Sequence, residues 1–170
     1  MDVALTSLIL LSVLVLSVFT IAERHLSSLD LAMEARQEME KRMEERAKTD
    51  LSPVEATTRS DGAIVEVTLR NDGDTKLTSF DQWDVILQYT ADDGLHTNWY
   101  QYIDPGLFGL WQEEWTHHDI LLDSFDPDIL NPGEELVIQV SVWPAVAIGT
   151  TNQATVATAT GVTASTVFTR

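Results

Sequence analysis

Twenty consecutive residues without a charge, Val3 to Ala22, stand near the start of this 170-residue chain and limit what it can fold into. A run of that length is enough to cross the hydrocarbon core of a bilayer as a helix. No Gly or Pro interrupts the chain before Pro53, and Arg24 to Lys48 is dominated by Glu, Arg, Lys, Met and Ala. Those residues favour helix. The spacing therefore predicts one helix of about fifty residues, roughly 70 Å long, apolar over 1–23 and charged over 24–50. Arg36 with Glu40, Lys41 with Glu45 and Glu44 with Lys48 are four apart and able to pair,. A thin seam of Leu29, Ala32, Ala35, Met39 and Met43 keeps helical spacing. A helix with so narrow an apolar stripe is no core helix; the seam suits packing against the chain's own domain or against the same seam in another copy.

Beyond residue 50 the period changes from helical to alternating. Ala63–Arg70, Asp84–Thr90, Asn98–Ile103 and Glu135–Trp143 alternate, Glu114–Leu122 does so weakly, and Gln153–Thr169 suggests two short strands split at Gly161,. Asn71-Asp72-Gly73-Asp74, Ala91-Asp92-Asp93-Gly94 and Asn131-Pro132-Gly133-Glu134 are turn signals, the first suited to a hairpin,. The expected fold is α+β: a long hydrophobic-to-amphipathic helix followed over 51–170 by an immunoglobulin-like antiparallel β-sandwich.

Charge narrows the function. The first 48 residues hold eight acids against six bases, the remaining 122 nineteen against four, so the distal domain carries −15 of the net −17. Such a surface repels nucleic acid and anionic lipid. With no cysteine there is no disulfide, thiolate metal site or cysteine nucleophile,.

Catalytic patterns are missing as well. The sequence has no glycine-rich nucleotide loop, no Gly-Lys-Ser/Thr, no HExxH and no nucleophile elbow,. His117-His118, adjacent on a predicted strand, point to opposite faces and make a poor metal pair. Asp119, Asp123, Asp126 and Asp128 are weak candidates for calcium or another divalent cation, without an EF-hand pattern,. Solvated loop acids are the simpler reading. Trp83, Trp99, Tyr100, Tyr102, Phe108, Trp111 and Trp115 stand close together in sequence, as sandwich core or as an exposed subunit contact or glycan platform. The greasy segment Leu107, Phe108, Leu110 and Trp111 suits contact with a neighbour. No Asn-x-Ser/Thr sequon occurs, although the Ser/Thr-rich tail could carry O-glycan,.

Four features together resemble the archaellin and type IV pilin-like superfamily. They are the apolar-to-amphipathic N-terminal helix, VEVTLRNDGDTKL at Val65–Leu77, LNPGEELVIQV at Leu130–Val140, and ATATGVTASTVF at Ala157–Phe168. The resemblance spans the whole architecture, through short motifs. It implies an extracellular helical filament subunit, archaellum-like and used in motility, inserted in the membrane before assembly into a homopolymer by secretion machinery. Val3, Leu5, Leu8, Leu11, Val15, Val18, Phe19 and Ala22 would form the filament core. An accessory subunit anchoring to the cell envelope and an adhesive pilin are the alternative roles. Type IV pilins usually carry Glu at the fifth mature position; Leu5 stands here, which moves the resemblance toward archaellins. The family also implies a short basic leader removed by a prepilin-type peptidase. That expectation agrees with the charge pattern: Lys and Arg lie only after the apolar run, which alone would put the acidic domain in the cytoplasm,.

Overall fold

The computed structural model describes residues 2–109, 113–121, 123 and 125–170, and within the helix leaves out the side chains of residues 2–6, 8, 9, 19 and 21–30. Helix α1 spans Asp2–Ala47. The chain divides into two compact units, Met1–Met43 and Glu44–Arg170. In the first, Arg36 pairs with Glu40 at 3.0 Å and Arg42 with Glu38 at 2.6 Å along the exposed helix surface. In the second, Lys48 pairs with Glu44 at 2.5 Å, and Thr49 Oγ1 donates to the Glu45 carbonyl at 2.8 Å where the helix ends.

Eight strands follow: β1 (Leu51–Arg59), β2 (Ile64–Asn71), β3 (Asp84–Ala91), β4 (Gly94–Tyr102), β5 (Glu114–Leu121), β6 (Glu135–Ser141), β7 (Thr151–Ala157) and β8 (Thr163–Thr169). They run in the order β1-β2-β6-β5-β4-β3-β7-β8. The first four and the last four form the two antiparallel halves of a sandwich, and their succession follows the ABED and C′CFG arrangement of immunoglobulin-type domains. Two details depart from the purely antiparallel expectation. Strands β4 and β5 meet in a short parallel pair, Gln101 with Glu114 and Tyr102 with Trp115, which joins the halves on one side. On the other side β1 and β8 lie alongside each other. The sandwich is thus nearly a closed barrel.

Alternation builds the core. Val65, Val67 and Leu69 of β2, Val85, Leu87 and Tyr89 of β3, and Leu136, Ile138 and Val140 of β6 point inward and are essentially buried. Ile64 shares the opposite face of β2 with Glu66 and Thr68 and is only half-buried. Strand β1 had no counterpart in the alternating segments of the sequence. Pro53 speaks against a central strand, but β1 ends the strand order, and its register slips between Pro53 and Glu55, where the missing N–H is tolerated,.

The segment Asn71–Asp74 is not a hairpin turn. Strand β2 pairs with β1 and β6, not with the strand that follows it. Instead the loop wraps the chain leaving α1: Asp72 N–H and Gly73 N–H donate to the Asp50 carbonyl at 3.0 and 3.2 Å, and Asp74 N–H donates to the Lys48 carbonyl at 2.8 Å. Gly73 is required for space, since a Cβ there would lie 2.4 Å from the Lys48 carbonyl oxygen and 2.5 Å from the Asp50 nitrogen. Beside it Asn71 is fully buried. Its Nδ2 donates to the Thr75 and Leu130 carbonyls at 2.8 and 3.1 Å, and its Oδ1 accepts from Gly73 N–H at 3.1 Å. The backbone of Asn71 completes the knot, donating to the Glu134 carbonyl and accepting from Gly133 N–H. Asn71→Ala should cost about 2–4 kcal/mol, the sum of three lost bonds to groups that stay buried. Gly73→Ala should cost at least about 2 kcal/mol by overpacking. Chemical denaturation of the full chain checks both; wild-type stability in Gly73→Ala would show that the contact is dispensable.

Candidate functional site

The described apolar residues of the N-terminal half of α1 are exposed: Leu10, Leu11, Val13, Leu14, Val15, Leu16 and Val18 each leave more than half of their surface open, Leu11 64% and Val15 54%. Ser17 and Thr20 satisfy their hydroxyls within the helix, on the carbonyls of Val13, Leu16 and Ser17. A contiguous apolar surface of this kind marks a site of interaction. Among the described residues no helix is long and apolar enough to cross a membrane. The run Val3–Ala22 is described only in part, and the side chains of Val3, Leu5, Leu8, Phe19 and Ala22 lie outside the described set. In the charged half, Met39 and Met43 of the predicted seam are exposed.

The distal unit offers a second set of residues. Asp119, Asp123, Asp126 and Asp128 do not gather into a cation site. Among the described residues no group of three or more His, Asp or Glu could hold a metal. Asp126 instead pairs with Lys76, and Asp123 accepts from the Asp128 N–H at 3.4 Å. Leu107 is exposed and Phe108 half-buried; Leu110 and Trp111 lie outside the described residues.

The aromatic block separates into core and surface. Trp83, Tyr100 and Trp115 are buried, and burial raises the Tyr100 hydroxyl far above its usual range, with Tyr89 nearby adding to the shift. Tyr102 packs edge-on against Trp115 and parallel to His117, whose Nδ1 lies 2.9 Å from the Tyr102 hydroxyl. Trp99 stays 57% exposed, with its Nε1–H donating to Asp84 Oδ1 at 2.8 Å. The pair was hidden in the sequence, because fifteen positions separate Asp84 and Trp99 and only the β3–β4 register brings them together.

The two adjacent histidines do diverge, with a bulge contributing. The β5–β6 register slips between His117 and Asp119, so His118 is the extra residue, exposed, while His117 turns inward against Phe80,.

No protein-family model matches the chain, and no curated protein matches its sequence. Solved structures do. The archaellum periplasmic stator protein FlaG of Sulfolobus acidocaldarius superposes with a TM-score of 0.55 at 19% identity, over 71% of this chain and 99% of that one. The FlaF and FlaG stator complex of the same organism gives 0.53 at 19% identity, over 69% and 87%. The archaeal flagellum of Methanospirillum hungatei strain JF1 gives 0.59 at 14% identity, over 97% and 92%. This chain has the fold of archaellum proteins. The resemblance drawn from the sequence motifs and the likeness drawn from the backbone point to the same group.

Burial lowers the pKa of His117 from its ordinary 6.5, opposed in part by the carboxylates of Asp128 and Asp104. The folded ring stays neutral where the unfolded one takes up a proton. Its contribution is therefore fully present above about pH 6.5 and is lost as pH falls below it, until the folded ring also protonates. Denaturation midpoints should drop between about pH 7.5 and 5.5 in the wild type. His117→Asn should flatten part of that drop and His118→Asn should leave it intact; equal behaviour of the two variants would refute the assignment.

Proposed function

We propose that this chain is a non-catalytic structural component of an archaellum-type surface assembly, tethered by its apolar helix and acting through its sandwich as an accessory subunit outside the cell membrane. The observation that carries the accessory role is the charge of the stalk. Residues 23–48 include thirteen charged side chains. A filament built by packing such helices round an axis would take those charges out of water, at several kcal/mol for each imperfectly paired ion. A stalk standing alone leaves them solvated. The stator-type comparison supports the same reading, since nearly the whole FlaG chain finds its counterpart in about 71% of this one.

A second reading, the filament subunit, is favoured by one specific finding. The Methanospirillum flagellum matches 97% of this chain, so its likeness extends over helix and sandwich together. In that role Val3–Ala22 would leave the membrane to pack in a homopolymer core after cleavage by a prepilin-type peptidase.

Shearing cells and identifying proteins by mass spectrometry separates the two. The accessory role expects the chain in the membrane fraction and scarce in sheared filaments; a filament subunit would dominate them. Leu14→Asp, costing about 2.5–3.5 kcal/mol at a helix centre in lipid, should shift the chain out of the membrane fraction. Unchanged membrane retention of that variant would contradict the tether.

A further inference from the structure

The outer face of the β4-β3-β7-β8 half differs from the rest of this acidic domain. In its rows, Trp99 stands beside Ile86 and Thr155 and then Ser165, while Thr97 stands beside Gln88, Gln153 and Val167. Those eight positions carry no charge. One step along the same register come Asp84 and Gln101, beside the short 3-10 turn Phe80–Gln82. At the Trp99 end an open cleft of about 380 Å³ is lined by the rings of Trp83, Trp99 and Tyr102 and the polar groups of Asp81, Gln82, Asp84 and Gln101. That volume lies within the range of small-molecule sites.

The cleft is firmly built. The Trp99 indole is held by its bond to Asp84, so ring and carboxylate are set relative to each other before anything binds. Trp83, below, is locked edge-on to Phe80 and donates to the Thr78 carbonyl at 3.2 Å. Tyr102 is held between Trp115 and His117. What remains is an exposed indole ring beside two carboxylates and two amides. An indole face in water is unfavourable, and it is satisfied by a ligand with one apolar face and a rim of hydroxyls.

We propose that this cleft binds a neutral glycan, with a pyranose ring stacked on Trp99 and its hydroxyls bonded to Asp84, Gln101 and Gln82. The C–H face of a sugar covers the indole, and its hydroxyls donate to the carboxylate and exchange bonds with the amides, the charged acceptor giving the stronger bond. Asp81 and Asp84 repel acidic sugars. A cation cage needs several converging open rings, and here Trp83 is buried and Tyr102 is half-covered, so Trp99 alone presents an open ring. A second copy docked about a two-fold axis would set Asp81 and Asp84 against their own equivalents. The site stands whether the chain anchors or polymerises, so its failure would leave the preceding proposal untouched.

The test uses the full chain in a polyoxyethylene detergent, free of sugar headgroups, with saturation-transfer NMR. The probes are hexamers of glucose, mannose, galactose and N-acetylglucosamine, with hexagalacturonate and tetramethylammonium as counter-probes. At least one neutral hexamer should bind saturably, and Trp99→Ala should weaken it by at least about tenfold while leaving the thermal midpoint unchanged. Asp84→Asn should weaken it less, because ring and amides remain. Four results would overturn the assignment: no saturable neutral hexamer; hexagalacturonate or tetramethylammonium binding as well as the neutral sugars; Trp99→Ala without effect; or Trp99 becoming shielded from a soluble quencher on raising protein concentration without sugar, the sign of a copy contact.

Discussion

The buried side chain of Asn71 holds the loop whose backbone grips the chain leaving the helix. It satisfies two carbonyls and one N–H from loops far apart in sequence, while its backbone binds the turn at Gly133 and Glu134. Next to it Leu77 and Leu130 pair as an isolated bridge. Across the loop, Asn131 donates from its backbone and its Nδ2 to Glu134 Oε2, at 2.8 and 3.1 Å. An amide is suited to this place because it offers donors and an acceptor without a charge. A carboxylate would present acceptors to carbonyls, and an apolar residue would leave buried polar groups without partners.

That knot explains why two of the sequence segments that resemble archaellins occur together. Val65–Leu77 ends in Asn71, Gly73 and Leu77; Leu130–Val140 begins with Leu130, Asn131, Gly133 and Glu134. Each is a strand preceded or followed by a tight loop, and either alone could belong to many sandwiches. In space they form one structure, and the chain leaving α1 is gripped by it at Lys48 and Asp50. The comparisons fit this view: identity of 14–19% is too low to preserve most surface residues, while the backbone is retained.

Strands with clean alternation and flanking turn residues were legible from the sequence, to within a few residues at their ends. Segments whose identity depends on neighbours were not. Strand β1 contains Pro53, acceptable only because of its place in the order. Asn71-Asp72-Gly73-Asp74 has hairpin chemistry, yet no partner strand follows it, and its glycine serves close approach to another backbone. The β5 bulge at His118 and the parallel contact of β4 with β5 are products of register, which single-strand periodicity does not encode. The same limit hid the exposure of Trp99: it and Trp83 look alike in sequence, and only burial separates them.

The near-closure of the sandwich has a consequence for how this domain can join anything. Sheets with free edges can recruit another chain's strand, main chain to main chain, as in donor-strand complementation or fibril growth. Here β1 and β8 lie side by side, β4 pairs with β5 only at Gln101 and Tyr102, and the Pro53 irregularity spoils β1 as a template. Backbone recruitment along β1 is therefore disfavoured,. An association written in side chains on its faces can instead change specificity one residue at a time without disturbing the ladder beneath.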